Sequence, residues 1–258
     1  MNSALSTFFL LLIFTTITLF STVSAQQNAA RIAIVIDDIG YRYTDKNALS
    51  LPDEITFSIL PHTPYGKSLA ILANAKNNEI LLHIPMEAEN GKKLGPGALT
   101  SAMNETEIYD SLTKSLAEIP FAIGINNHMG SYLTQLVKPM SWTMDFLKQH
   151  KLLFLDSKTS PYSKASIIAQ KVGVPVQGRH VFLDNQLTES YINKQFNSLI
   201  KHAKNHQFAI GIAHPHPETI QALQRLIPTL KQNNIELVPL STLYPPTPKN
   251  SQTIIASE

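Results

Sequence analysis

Residues 31–40 read RIAIVIDDIG, a run of six residues rich in β-branched side chains that ends in Asp37 and Asp38 and closes on Gly40. An apolar run of this length without alternation reads as a strand covered on both faces, the pattern of parallel sheets. Similar runs recur along the chain. Strands are predicted at Arg31–Ile36, Ile55–Ile59, Glu79–Ile84, Phe121–Ile125, Leu152–Asp156, Val181–Leu183, Phe208–Ala213 and Glu236–Leu240. Amphipathic stretches at Pro64–Asn77, Glu105–Glu118, Pro139–Gln149, Lys164–Val172, Glu189–Asn205 and Pro217–Lys231 are predicted helices, with Pro228 kinking or ending the last. Strands alternating with helices predict an α/β fold, a single-domain distorted (β/α) barrel of about seven or eight strands. An open doubly wound sheet is the runner-up.

The polar residues are placed unevenly. Asp37 and Asp38 end the first predicted strand, His83 and Glu87 flank the end of the third, and Asn126, Asn127, His128 and Ser131 follow the fourth. Asp156, Asp184 and His214 end later strands. Carboxyl ends of parallel strands converge on one face, where α/β proteins build their sites. Two adjacent carboxylates repel one another, and a metal ion on one resolves the conflict and leaves the other free to act as a base. His83 and Glu87 share a face if the chain turns helically after the strand, and both are ordinary metal ligands. His128 reads either as a ligand or as a residue ordering its loop. An imidazole at His214 suits a general acid or base. His216 reads as a surface residue; His62, His150, His180, His202 and His206 receive no role, and Trp142 is assigned to packing.

Composition narrows the chemistry. The 258 residues carry a formal net charge of +2 without a basic run, which argues against nucleic acid as a partner. There is no cysteine, which excludes disulfides, thiolate metal sites and a Cys nucleophile, so a metal must rest on His, Asp or Glu. Residues Phe8–Phe20 are almost wholly apolar and lead to small residues at Val23 and Ala25. They predict a signal peptide over 1–25, a mature start at Gln26, no membrane span after cleavage, and an exported protein, periplasmic or secreted. The first seven residues hold no Lys or Arg, and an uncleaved anchor is the other reading. A domain over 26–243 and a Pro-containing tail over 244–258 complete the predicted organisation.

The motifs together resemble those of the polysaccharide deacetylases, carbohydrate esterases that remove acetyl groups from chitin-like or peptidoglycan-like polymers, and more closely their divergent branch. Asp37-Asp38-Ile39-Gly40 matches the family's opening motif, His83-Ile84-Pro85-Met86-Glu87 its second, with Glu in place of a second His, and Ile210–His214 its last. Asn126–Ser131 resembles a signature of the divergent branch. The Arg-bearing third and Trp-bearing fourth motifs are absent, with Asn126 and Asn127, and Asp156–Thr159, in the corresponding places.

The resemblance implies Asp37 as general base, His214 as general acid, and a divalent metal, zinc by preference, on Asp38, His83 and Glu87, with His128 as an extra ligand. Asn126, Asn127, Ser131 and Asp156 become candidates for substrate binding, and Arg179 for orienting an acid such as Asp37. The implied substrate is a polysaccharide or peptidoglycan-like polymer. Two other readings of the same residues are a catalytically inactive glycan-binding or envelope-interaction protein, and a metal hydrolase of another ester or amide class.

Overall fold

In the computed structural model, which describes residues 29–244, the opening strand β1 runs Ala30–Ile39 and is buried almost throughout. Its side chains alternate between two apolar layers, as a pleated strand requires. Ile32, Ile34 and Ile36 belong to the large cluster shared with the helices, whereas Ala33 and Val35 join a smaller one with Leu81, Leu155, Ile210 and Ile212 inside the curl of the sheet. The remaining strands are β2 (Thr56–Ile59), β3 (Ile80–Met86), β4 (Gly124–Met129), β5 (Leu153–Asp156), β6 (Val176–Gly178), β7 (Val181–Phe182), β8 (Phe208–Ala213) and β9 (Ile235–Leu237). The helices are α1 (Gly66–Ala75), α2 (Glu105–Glu118), α3 (Val137–His150), α4 (Ala165–Val172), α5 (Glu189–His206) and α6 (Pro217–Leu226).

The strand order is β6-β5-β4-β3-β2-β1-β8-β7, and the pairings are parallel. Only two residues, Arg179 and His180, separate the two ends of this order in the chain. Arg179 N–H donates to Asp156 O on β5 at 2.9 Å, and His180 N–H donates to Ile210 O on β8 at 2.9 Å. β6 and β7 therefore act as one interrupted strand that joins both edges of the curled sheet. The result is the predicted distorted barrel, not an open sheet.

Most predicted elements are present, and the differences have physical reasons. The fourth strand was expected at Phe121–Ile125, yet β4 continues to Met129 and carries Asn126, Asn127 and His128 within its ladder. Their polar side chains are satisfied by neighbouring strands, so they do not end it. β6 was not predicted: three residues after Pro175 offer too little pattern. The last long helix stops at Leu226 and continues as a 3-10 turn through Asn233, consistent with Pro228 lacking an N–H.

Tyr244, expected to open an unpacked tail, is buried, and its hydroxyl donates to Phe154 O at 3.0 Å. After β9 pairs with Ala30–Ile32, Val238, Leu240 and Leu243 enter the inner cluster and close the amino-terminal mouth of the barrel. Arg31 and Gln177 donate to Thr242 O and Leu243 O, at 3.1 and 2.9 Å. The predicted leader and the tail beyond Tyr244 lie outside the described residues. Among the described residues no helix is long and apolar enough to cross a membrane.

Candidate metal centre and active site

Asp37 and Asp38 are neighbours on a strand and would ordinarily point to opposite faces. A register shift between Ile36 and Ile39, with Asp38 at φ 61°, overrides that alternation. Such a bulge re-aims side chains, and Asp is among the residues that best tolerate a left-handed backbone. Both carboxylates reach the same histidine: His83 Nε2 lies 2.9 Å from Asp38 Oδ1 and 3.8 Å from Asp37 Oδ2. Gly40, at φ 139°, completes the turn. A β-carbon there would sit 2.3 Å from Thr63 Oγ1. Its N–H donates to Asp45 Oδ2 at 3.1 Å.

The register of β3 with β4 sets Pro85 opposite His128 and places the His83 and His128 rings in a T-shaped contact, centroids 4.9 Å apart. His128 Nδ1 is 2.7 Å from Asp38 Oδ1 and 3.2 Å from His83 Nε2. Asp38, His83 and His128 form a group whose ligand atoms all lie within 4.8 Å of one another. One carboxylate and two imidazoles are a donor set that zinc and similar divalent ions accept. Two ring nitrogens converging on a single carboxylate oxygen fit a cation.

Glu87 does not join them. β3 stays extended through Met86, so the helical turn that would have brought Glu87 over His83 does not form. Four residues of strand separate their Cα atoms by about 13 Å at ~3.3 Å per residue. The Glu87 carboxylate instead accepts from Ser101 N–H at 2.5 Å.

Two further groups flank the cluster. Asp37 is buried, its Oδ1 has no hydrogen-bond partner, and burial pushes its pKa up, with His83 and His214 pulling the other way. On the other side His214 Nε2 stands 3.9 Å from Asp38 Oδ2. Its Nδ1 pairs with Asp184 Oδ1 at 2.9 Å, while its backbone N–H and Thr219 Oγ1 donate to Asp184 Oδ2 at 2.7 and 2.9 Å. Burial alone would lower the His214 pKa, but the hydrogen bond and charge of Asp184 outweigh it and raise it to about 9. Burial likewise works against charge on His83, and Asp37 and Asp38 reverse it, so its pKa is raised. Asp38 is pulled up by burial, yet the hydrogen bonds of His128 and His83 hold it well below the usual carboxylate range.

Residues 34–244 match the family model described as divergent polysaccharide deacetylase. The chain belongs to that family. It is 38% identical over 216 residues to YibQ of Escherichia coli K12, covering 83% of this chain and 67% of that one. Among solved structures, ATU2773 of Agrobacterium tumefaciens C58 is 28% identical with a TM-score of 0.81, covering 85% of this chain and 91% of that one. The catalytic domain of a peptidoglycan N-acetylglucosamine deacetylase from Eubacterium rectale shares the fold at 14% identity and a TM-score of 0.55, covering 84% and 91%.

In this family member the residues expected to grip substrate are largely engaged elsewhere. Asn126 is buried and donates to Ser157 Oγ at 2.8 Å and Leu155 O at 3.2 Å. Asn127 donates to Met129 O at 2.7 Å and accepts from Ser157 N–H at 2.9 Å. Asp156 accepts from Lys158 N–H and Ser163 Oγ, both at 2.8 Å. These three brace the ends of β4 and β5, because a polar side chain inside a sheet must find partners there. Ser131 Oγ accepts from Glu89 N–H at 3.0 Å and secures the loop after β3. Arg179 does not bond Asp37: it donates to Ser157 O at 2.8 Å and Lys158 O at 3.1 Å and lies over the Phe182 ring. Asp184, given no role from the sequence, is the buried partner of His214; its place at a strand end was the only signal.

Proposed function

We propose that this protein is an exported, metal-dependent hydrolase that removes acetyl groups from a polysaccharide of the cell envelope or a similar acetylated glycan. The observation that carries this reading is the flanking of one donor cluster by two differently tuned groups: Asp38, His83 and His128 in the middle, buried Asp37 on one side and Asp184-held His214 on the other. Those three residues would hold the ion, zinc by donor chemistry. A divalent ion bound there supplies a Lewis acid for the acyl carbonyl and lowers the pKa of water.

The rest falls to the chain. Asp37 accepts a proton from the water attacking the acyl carbon, and the upward push on its pKa makes it a stronger base. His214, protonated at neutral pH, gives a proton to the departing amine nitrogen or alkoxide oxygen as the acyl bond breaks. The products are acetate and a free amine or hydroxyl. Asp184 holds the imidazole with Nε2 toward the centre. The apolar segment Phe8–Phe20 supports export to the periplasm or beyond.

The test measures bound metal in purified protein and acetate release from acetylated oligosaccharides, for wild type and Asp38→Ala. The expected outcome is one divalent ion per chain and acetate release in wild type, both lost in the variant. Wild type without metal uptake or acetate release refutes the proposal. Metal uptake with no release from any acetylated glycan refutes the deacetylase reading and favours an inactive glycan-binding scaffold or a hydrolase of another ester or amide class.

A further inference from the structure

Charge is unevenly spread over the surface. Residues 132–172, which span α3, β5 and α4, hold six lysines and two aspartates, whereas the rest of the chain holds fifteen Lys or Arg and seventeen Asp or Glu. Of the two aspartates Asp156 is buried and Asp145 half-buried. The lysines are all exposed: Lys138 and Lys148 on α3, Lys151 just after it, Lys158 after β5, Lys164 at the start of α4 and Lys171 in its last turn. Among the described residues none of the six makes an ion pair.

Apolar side chains project among these lysines. Tyr162 and Ile167, each 71% exposed, are the most exposed large apolar residues among the described ones, and Val137 is 53% exposed. Lys164, Ile167 and Lys171 are spaced i, i+3, i+7 and share one stripe of α4. α4 packs against α3, whose first turn carries Val137 and Lys138. The amino-terminal ends of the two helices are tied together. Lys164 N–H donates to Thr134 O at 2.8 Å, and Gln135 Nε2 donates to Ser160 Oγ at 3.2 Å. Tyr162 N–H also donates to Ser160 Oγ, at 3.2 Å, so the turn that presents its ring is held in place.

We infer that the outer face of α3 and α4 is a peripheral docking surface for an anionic phospholipid bilayer. Lysines set around projecting aliphatic and aromatic side chains are the composition of a face that lies in the lipid interface. The apolar groups enter the acyl boundary, the ammonium groups meet the phosphates, and a tyrosine suits the headgroup level. A purely acidic polymer would be held by the lysines alone and would leave Ile167 and Val137 in water. A second copy meeting this face through a two-fold axis would set lysine against lysine. A bilayer needs no shaped recess, and Tyr162 and Ile167 stand clear of the surface. Attachment of this kind lies on the membrane and needs no crossing helix. The inference does not depend on the hydrolase reading.

The experiment is cosedimentation of the chain from Gln26, which retains the whole barrel of residues 29–244, with vesicles of phosphatidylcholine alone or with one-third phosphatidylglycerol. Wild type partitions onto the anionic vesicles and not onto the neutral ones. Lys164→Gln with Lys171→Gln lowers the partition coefficient about thirtyfold, the loss of two lysines near the lipid surface. Tyr162→Ser with Ile167→Ser lowers it about tenfold. Lys67→Gln with Lys231→Gln removes the same charge from other faces and leaves it within about twofold. Thermal melting verifies folding, and Lys171→Gln and Ile167→Ser alone replace any double variant that fails to fold. Absence of wild-type binding to the anionic vesicles, equal binding to the neutral ones, or an equal loss in the Lys67 and Lys231 variant overturns the inference. So does undiminished binding in the Tyr162 and Ile167 variant, the result of a purely ionic attraction. A wild-type dimer that Ile167→Ser dissociates assigns the face to a second copy and also overturns it. Acetate release is no part of the readout, so failure of the hydrolase reading leaves this result standing.

Discussion

Asp38 and Asp184 show how much of the site depends on single backbone and side-chain choices. A left-handed turn at Asp38 brings two consecutive acids onto one face, and two strand-end residues thirty positions apart, Asp184 and His214, become a hydrogen-bonded pair. Asp184→Asn keeps the shape but removes the charge that holds the His214 proton. On the proposed hydrolase reading its kcat should fall about 100-fold, the usual scale of a general acid, with KM and bound metal near wild type; steady-state kinetics with metal analysis checks this. Gly40→Ala puts a β-carbon into Thr63 at a positive φ and should destabilise the fold by about 2 kcal/mol in urea unfolding, with no rescue by metal. Asp37, Asp38, His83 and His214 were legible as a set because each ends or interrupts an apolar run. The partner of His214 was not, since no local pattern links residues brought together only by the pairing of β7 with β8.

Among the elements, β7 is only two residues long and has side-chain hydrogen bonds to β8 and its end on either side of it. The N–H groups of Ile210 on β8 and of His214, just past its end, donate to the His180 ring and the Asp184 carboxylate, at 2.9 and 2.7 Å. His180 can accept from Ile210 only while its Nδ1 is unprotonated. Burial, with His202, Lys158, His206 and Arg179 around it, lowers its pKa to about 4. Because the folded-state pKa lies below the unfolded one, the unfolded chain binds the proton more readily. This contribution is complete above about pH 6.5 and is lost as pH falls toward 4. Partial exposure and solvent screening reduce the expected loss to about 1 kcal/mol. His180→Gln retains an acceptor but cannot titrate. Urea unfolding at several pH values between 6.5 and 4 should show wild type losing that much more stability than the variant. Predicted and observed elements differ most at β6 and β4: Val176–Gly178 is too short to carry a period, and the polar residues of β4 looked like a strand end until their partners were known.

For the whole molecule, the decisive feature is closure. The interrupted strand β6–β7 joins the sheet's edges near the site, while Val238–Tyr244 fills the opposite mouth. Tyr244→Phe loses one hydrogen bond to Phe154 O and should cost about 1 kcal/mol. Tyr244→Ala also leaves a cavity under the inner cluster and should cost about 3 kcal/mol or more. Equilibrium unfolding distinguishes the two, and a Tyr244→Ala variant as stable as wild type would show that the closure contributes nothing.

By itself the sequence determined the α/β alternation, the barrel, and the face on which chemistry-bearing residues gather, because strand burial and strand-end polarity are written locally in residue order. Only the tertiary structure decided which donors meet. An extended β3 carries Glu87 away from His83, the register of β3 with β4 brings His128 in, and a bulge turns Asp38 toward them. Ligand geometry depends on interstrand register and backbone handedness at single residues, and neither is encoded by periodicity along the chain.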